Sequence, residues 1–257
     1  MKVRNLIISI LAVLILSGCA AEVKLAKQFA NPAQPYRAAV YFPEAAQVTL
    51  IQSEDGTYTK VLDSLDQNAF LDILYGAYAD ELRRYGVDVY IPESQDDVPT
   101  DSIHWLVILS KMEIQGLFTP YVDYLFDLED EYEYTFPLNT VNVAAWFDIN
   151  NGSWRPTVFY EHNLTDDFNS HVSVSWKDGT QYHYDIKPLR TDDLYHYSVF
   201  LGKLYASYTF DYMMNCYIEE EMGKKNVVPR FRLGWDPYEK TLVIQEEEEF
   251  IELKDEN

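Results

Sequence analysis

Cysteine is nearly absent from this 257-residue chain, which has only Cys19 and Cys216. At most one disulfide could form, so a cross-linked scaffold is excluded. Glycine is also sparse, and ten glycines leave no Gly-rich phosphate loop. Basic residues are scarce. Twenty Lys and Arg face 42 Asp and Glu, for a net charge of −22. Nucleic-acid binding needs clustered cations for its phosphates, so that class is excluded. The same charge opposes lying flat on anionic lipid. The five histidines (His104, His162, His171, His183 and His196) form neither HExxH nor HxH. No GxSxG elbow and no SxxK occurs, so serine nucleophile chemistry has no support. Forty-two carboxylates are too many for any one pair to point to acid–base catalysis. No catalytic residue, metal ligand set or cofactor motif is assigned.

Long hydrophobic runs are lacking as well, with one exception at the N-terminus. Lys2 and Arg4 precede LIISILAVLIL, residues 6 to 16. Eleven residues fall short of the ~20 that a bilayer core requires. A short apolar run with a basic start and small residues after it has the form of a signal peptide. It ends in Leu16-Ser17-Gly18-Cys19, which resembles the lipobox of bacterial lipoproteins. The resemblance implies that Cys19 is alkylated with diacylglycerol and that cleavage precedes it, making residues 1–18 a lipoprotein signal peptide. Two or three acyl chains then anchor the protein stably, at ~0.8 kcal/mol per buried CH₂. Removing Lys2 and Arg4 leaves 18 basic against 42 acidic residues, a balance of −24. With Cys19 lipidated, no intramolecular disulfide is expected. Cys216, at core spacing within YTFDYMMNCYIEE, reads as a buried, inert thiol.

Residues 19–35 mix Ala, Gln, Asn and two prolines without a sustained period. They read as a flexible tether spanning roughly 20 Å. A single domain is expected over 36–245, followed by an acidic tail, 246–257. Hydrophobic residues make up 47% of the chain, enough for a core of that size. RAAVYFP (37–43) reads as a buried strand. Residues 48–62 read as a hairpin turning at Asp55-Gly56. A helix follows, with Ser64 and Gln67 as a capping box. Its apolar face is Phe70, Ile73, Leu74, Ala77, Tyr78, Leu82 and Tyr85. Arg83 and Arg84 end it, with Gly86 just beyond. VDVYIP (87–92) and residues 104–116 read as strands, the second covered on both faces in its apolar first half. Hairpins are expected at 139–162, 173–186 and 231–244. A second helix, about 191 to 222 and capped by Thr191, carries a stripe from Leu194 to Cys216. The fold class predicted from this order is α+β: a mixed, mostly antiparallel sheet with two main helices packed on one face.

Aromatic residues are plentiful, with 21 Tyr, 13 Phe and five Trp. Residues 117–137, LFTPYVDYLFDLEDEYEYTFP, alternate aromatics with acids and read as an excursion, partly strand. Such alternation is hard to bury, and long irregular segments are often functional. Tyr121, Tyr124, Phe126, Tyr132, Tyr134 and Phe136 are therefore candidate partner-binding residues. Trp146, Trp154 and Trp176 fall in the middle hairpins and are candidate glycan-stacking residues. Packing against the sheet is the competing explanation for each. The best metal candidate, Glu161-His162 with Asp166, Asp167 and His171, reads instead as a solvated loop.

The order RAAVYFP, a helix ending in LRRYGVDVY, then WLVILSKMEIQG is similar to envelope lipoproteins with an anticodon-binding-like α/β core. That group includes the curli-secretion lipoprotein, penicillin-binding-protein activator lipoproteins and auxiliary lipoproteins of transport systems. The resemblance covers about a third of the chain. It implies an accessory protein that binds another envelope protein and is not an enzyme. The chain also resembles lipoproteins of Bacteroidota, in which surface export goes with acidic residues just after the lipid cysteine. Ala20-Ala21-Glu22-Val23-Lys24 lacks such a cluster. The implied location is the outer membrane, on its periplasmic face, attached through the lipid. A surface glycan-binding lipoprotein is the alternative.

Overall fold

A computed structural model describes residues 21–43, 48–51, 60–94, 97–99, 102–126, 131–152, 157–165, 171–175, 181–185, 189–224 and 229–249. The elements in chain order are helix α1 (21–30), β1 (Arg37–Tyr41), β2 (Val48–Ile51), α2 (Lys60–Asp63), α3 (Gln67–Arg84) and β3 (Asp88–Tyr90). β4 (Trp105–Phe126), β5 (Glu131–Asn150), β6 (Thr157–Thr165), β7 (His171–Ser175) and β8 (Gln181–Asp185) follow. α4 (Thr191–Glu221), β9 (Arg230–Asp236) and β10 (Thr241–Glu249) complete the order.

The main sheet runs β3-β1-β4-β5-β6, with β2 also on β4. β1 and β2 lie along β4 one after the other, both parallel to it, and β3 is parallel to β1. β4, β5 and β6 are antiparallel, and most paired residues belong to that part. The class is α+β, as the element order predicts.

β4 shows how sequence sets a face. Val107 and Leu109 are buried, then Met112 and Ile114, so the alternation changes parity between them. A bulge between Leu109 and Lys111 inserts Ser110 and keeps both halves facing the helices. Tyr78 of α3 and Tyr205 of α4 both reach Phe147 of β5, with ring centroids 5.7 and 5.6 Å away. Both helices therefore cover one face. On the other face Asn142 donates to Glu161 and Asn163, and Lys111 pairs with Glu113 at 2.6 Å. Among the described residues, no helix packs on that face.

Five expectations are corrected. Residues 21–30, read as tether, are helical, and Ala26 and Phe29 are buried in the core. Phe29 packs on Tyr36, Phe210 and Tyr217, which compensates for the marginal stability of so short a helix. The cap of α3 is Asp66, whose Oδ1 accepts from the N–H groups of Asn68 and Ala69. Ser64 instead sits 2.5 Å from the Thr191 hydroxyl at the start of α4, where Arg190 is the cap. β2 belongs to no hairpin with residues 60–62, which are helical; residues 52–59 lie outside the described residues. Finally, residues 246–249 of the expected acidic tail belong to β10, with Glu248 and Glu249 in register with Phe231 and Arg230.

Candidate functional site

Two features of this fold are placed to meet another molecule. The first is an arm. β2 pairs with β4 as far as Gln115, and β6 pairs with β5 from Thr140 onward. The β4–β5 ladder continues past both, from Phe118↔Asn139 to Phe126↔Glu131. Among the described residues no third strand joins this stretch. At ~3.3 Å per residue the two-stranded extension is about 30 Å long. An isolated ribbon of two strands is marginally stable in water, so a surface that covers it would stabilise it.

The excursion expected at 117–137 is thus a continuation of two sheet strands. Its irregular reading is corrected for 117–126 and 131–137, while 127–130 lie outside the described residues. Pro120 and Pro137 are register partners within it. A ladder tolerates proline only where the missing N–H faces away from the partner strand. Both edges of the arm therefore lose a donor at the same level, which discourages addition of a further strand. By register, Tyr121, Tyr132, Tyr134 and Phe136 take positions on one side of the ribbon. Tyr124 and Phe126 take positions on the other, in line with Met112 and Ile114. The six candidates share the arm but divide between its two faces.

The three tryptophans are not brought together by anything described. Trp146 lies opposite Lys111 in register, with the ammonium 4.5 Å from its ring centroid. It also packs on Phe159, at 4.9 Å between centroids. That is half-buried sheet packing and not an open stacking platform. Trp154 and Trp176 lie outside the described residues. Glu161 and His162 are on β6, with Glu161 engaged by Asn142; Asp166 and Asp167 also lie outside them. No group of three or more His, Cys, Asp or Glu among the described residues could hold a metal ion.

The second feature is a half-open cavity of about 560 Å³. It lies where the parallel strands β1 and β3 run out, beneath the first turns of α3. Its lining includes Tyr41 at the end of β1 and Phe42 just after it, Asn68, Asp72 and Tyr75 from α3, and Glu93 after β3. Phe42 and Tyr75 stack at 4.6 Å. The Tyr75 hydroxyl donates to the Val40 carbonyl at 2.6 Å, and burial pushes its pKa up to about 12. In open sheets, crevices at the carboxyl ends of parallel strands are where ligands bind.

A third feature is structural. Residues 209–215 of α4 are buried without a break, more than one helix face can supply. The β9–β10 hairpin covers their outer side. Asn215 donates to the carbonyls of Asp211 and Leu233 at 2.7 and 2.9 Å, and the Trp235 N–H donates to Asp211 Oδ1 at 2.9 Å. Burial raises the Asp211 carboxyl well above the usual carboxylate range, against the lowering effect of that N–H. Tyr238 completes the latch. Its hydroxyl donates to Glu81 at 3.2 Å and accepts from Arg84 at 2.7 Å. The signal for this latch was two polar residues four apart, Asp211 and Asn215, inside the stripe YTFDYMMNCY.

No protein-family profile matches the chain, and no curated protein matches it. Solved structures do match. One is a Helicobacter pylori protein assigned as a homolog of neuraminyllactose-binding hemagglutinin. It is 10% identical, with 75% of this chain and 92% of that one covered and a TM-score of 0.39. So slight a likeness bears on neither fold nor ligand. Among the described residues, no helix is long and apolar enough to cross a membrane.

Proposed function

We propose that this is a lipid-anchored accessory protein of the bacterial envelope, not an enzyme, that binds a protein partner through the β4–β5 arm. The arm carries this reading: its ladder runs nine register pairs beyond the last residue that pairs with β2 or β6. A projection of that length, without a described covering layer, is stabilised by a partner that covers it. Residues 117–137 contain six carboxylates and no Lys or Arg, so the complementary surface is basic. The blunted edges direct the partner to the faces of the ribbon. Attachment rests on the lipobox ending at Cys19, and the outer membrane, periplasmic side, is the proposed location.

The test is site-specific photo-crosslinking in intact cells, with the crosslinker at position 124 or 134. A discrete adduct that high salt abolishes is the expected result. Absence of any adduct from both positions, in cells where the protein is present and membrane-bound, refutes arm-mediated binding. Labelled palmitate that incorporates equally into the Cys19→Ala variant refutes the anchor. Degradation by protease added to intact cells refutes the periplasmic side.

A further inference from the structure

We propose that the cavity at the ends of β1 and β3 is a binding site for a small organic cation, an amine or quaternary ammonium with an apolar or ring-shaped body. This site is separate from the arm and does not depend on it.

The cavity exists because of how the chain leaves the sheet. β1 stops at Tyr41 and β3 at Tyr90, while the first turns of α3 continue over both strand ends. The floor ends and the roof does not. The resulting space, about 560 Å³, lies within the ~300–1,000 Å³ range of small-molecule sites.

The lining selects the charge. The apolar wall is aromatic, made by Tyr41, Phe42 and Tyr75. The 20° stack of Phe42 on Tyr75 and the hydrogen bond from Tyr75 to Val40 fix two of these rings in place. A pre-set wall spares a ligand the entropic cost of ordering it. The polar lining is acidic, with Asp72 and Glu93 both exposed beside Asn68. Neither carboxylate takes part in an ion pair among the described residues. Among the described residues, no Lys or Arg lines the cavity. Anions are repelled here, and a hydrated divalent metal would find two monodentate carboxylates where calcium needs six to eight oxygens. An aromatic wall together with uncompensated carboxylates suits a soft, weakly hydrated cation with an apolar body, where a strongly hydrated one would lose more water than the wall returns.

The experiment uses the full mature protein purified in detergent, with benzyltrimethylammonium and choline as probes and benzyl alcohol and glucose as neutral comparators. Saturation-transfer NMR and calorimetry read binding. The cations are expected to bind and the neutral compounds not. The double variant Asp72→Asn/Glu93→Gln is expected to weaken cation binding about tenfold or more, since each lost carboxylate at contact distance is worth several-fold. Both positions are exposed, so folding is retained. The control Glu239→Gln, on the β9–β10 turn, is expected to bind as the parent does. Three results overturn the proposal: no cation binding at millimolar concentration, equal affinity in the double variant, or equal loss in the control. The last would mean that the overall negative charge, and not the cavity, holds the cation. Saturable glucose binding that is indifferent to the two acids would overturn it in favour of a neutral saccharide.

Discussion

Gly202 and Gly76 form a matched pair for testing how the two main helices meet. Gly202 lies in α4 where it crosses α3. A Cβ placed there would stand 2.5 Å from the Leu74 carbonyl oxygen, 2.9 Å from the Ala77 Cβ and 3.0 Å from the Tyr78 nitrogen. Two of those obstacles are backbone and cannot rotate away. Gly202→Ala must therefore open the joint by close to 1 Å, loosening Tyr78 and Tyr205, both fully buried beside it. Overpacking of this kind costs about 1–3 kcal/mol, with rigid obstacles at the upper end. The better helix propensity of alanine returns ~1 kcal/mol. The net expectation is a loss of about 2 kcal/mol, or ~4–8 °C in Tm for a domain of this size. Gly76, in α3, is exposed and meets nothing within 4 Å of an added Cβ. There only propensity acts, so Gly76→Ala is expected to gain ~1 kcal/mol and ~2–4 °C. Urea titration followed by circular dichroism measures both. A Gly202→Ala protein as stable as the parent, or two shifts of the same sign, would refute the close crossing.

Phe29→Ala removes a fully buried ring that holds α1, with an expected loss of ~3–5 kcal/mol; limited proteolysis should then cut within residues 21–35, which the parent protects. Asp211 has a folded-state pKa raised by burial, so the folded protein binds more protons than the unfolded chain above pH ~4. Its stability therefore falls as pH rises through that window, by at most ~1.4 kcal/mol per pH unit. Asp211→Asn removes this fall, so the variant-minus-parent difference should grow from pH 4 to 7, and a flat difference in urea midpoints would contradict the burial argument. Cys216, expected to be buried, is half-buried at the edge of the core, and desolvation pushes its thiol up to about 12, so iodoacetamide at pH 8 should label it much more slowly in the native protein than in denaturant, and equal rates would contradict that desolvation.

Local pattern revealed elements, and long-range contact decided their ends and partners. The bounds of α3 and α4 follow from apolar spacing and from Gly86, whose φ of +84° suits the stop. The cap of α3 did not follow, because the Ser64 hydroxyl is engaged 127 residues away in sequence, by Thr191. α1 was visible in principle, since Leu25, Ala26, Phe29 and Ala30 share a helical face. Ten residues are too short for that face to outweigh two nearby prolines without knowledge of the core that receives Phe29. β1 and β2 read as strands, but their parallel pairing with β4 spans more than 60 residues and has no local signature. At the proposed sites, the sequence showed the composition of the arm and not its two-faced register. It gave no hint of the cavity, because Phe42, Asp72 and Glu93 meet only through the β1–α3–β3 crossover.

The order found at 21–30 changes what a lipid on Cys19 would do. Only Ala20 separates that cysteine from α1, and α1 is pinned to the body by Phe29, whose ring lies 4.5 Å from Tyr36 and 5.4 Å from Phe210. With Cys19 acylated as proposed, the body lacks the ~20 Å of slack that a flexible 19–35 segment would give and is kept close to the membrane. The arm, built on the same sheet as β1, is then presented from a body kept close to the bilayer. A ten-residue Gly/Ser insertion between Ala20 and Ala21 would restore a flexible reach of ~17 Å without touching the fold. If the short tether matters, crosslinking of the arm to its partner should drop several-fold in the inserted protein, while its melting temperature and membrane fractionation stay unchanged. Undiminished crosslinking would show that the arm finds its partner regardless of how the body is held, and the packing of α1 would then serve stability alone.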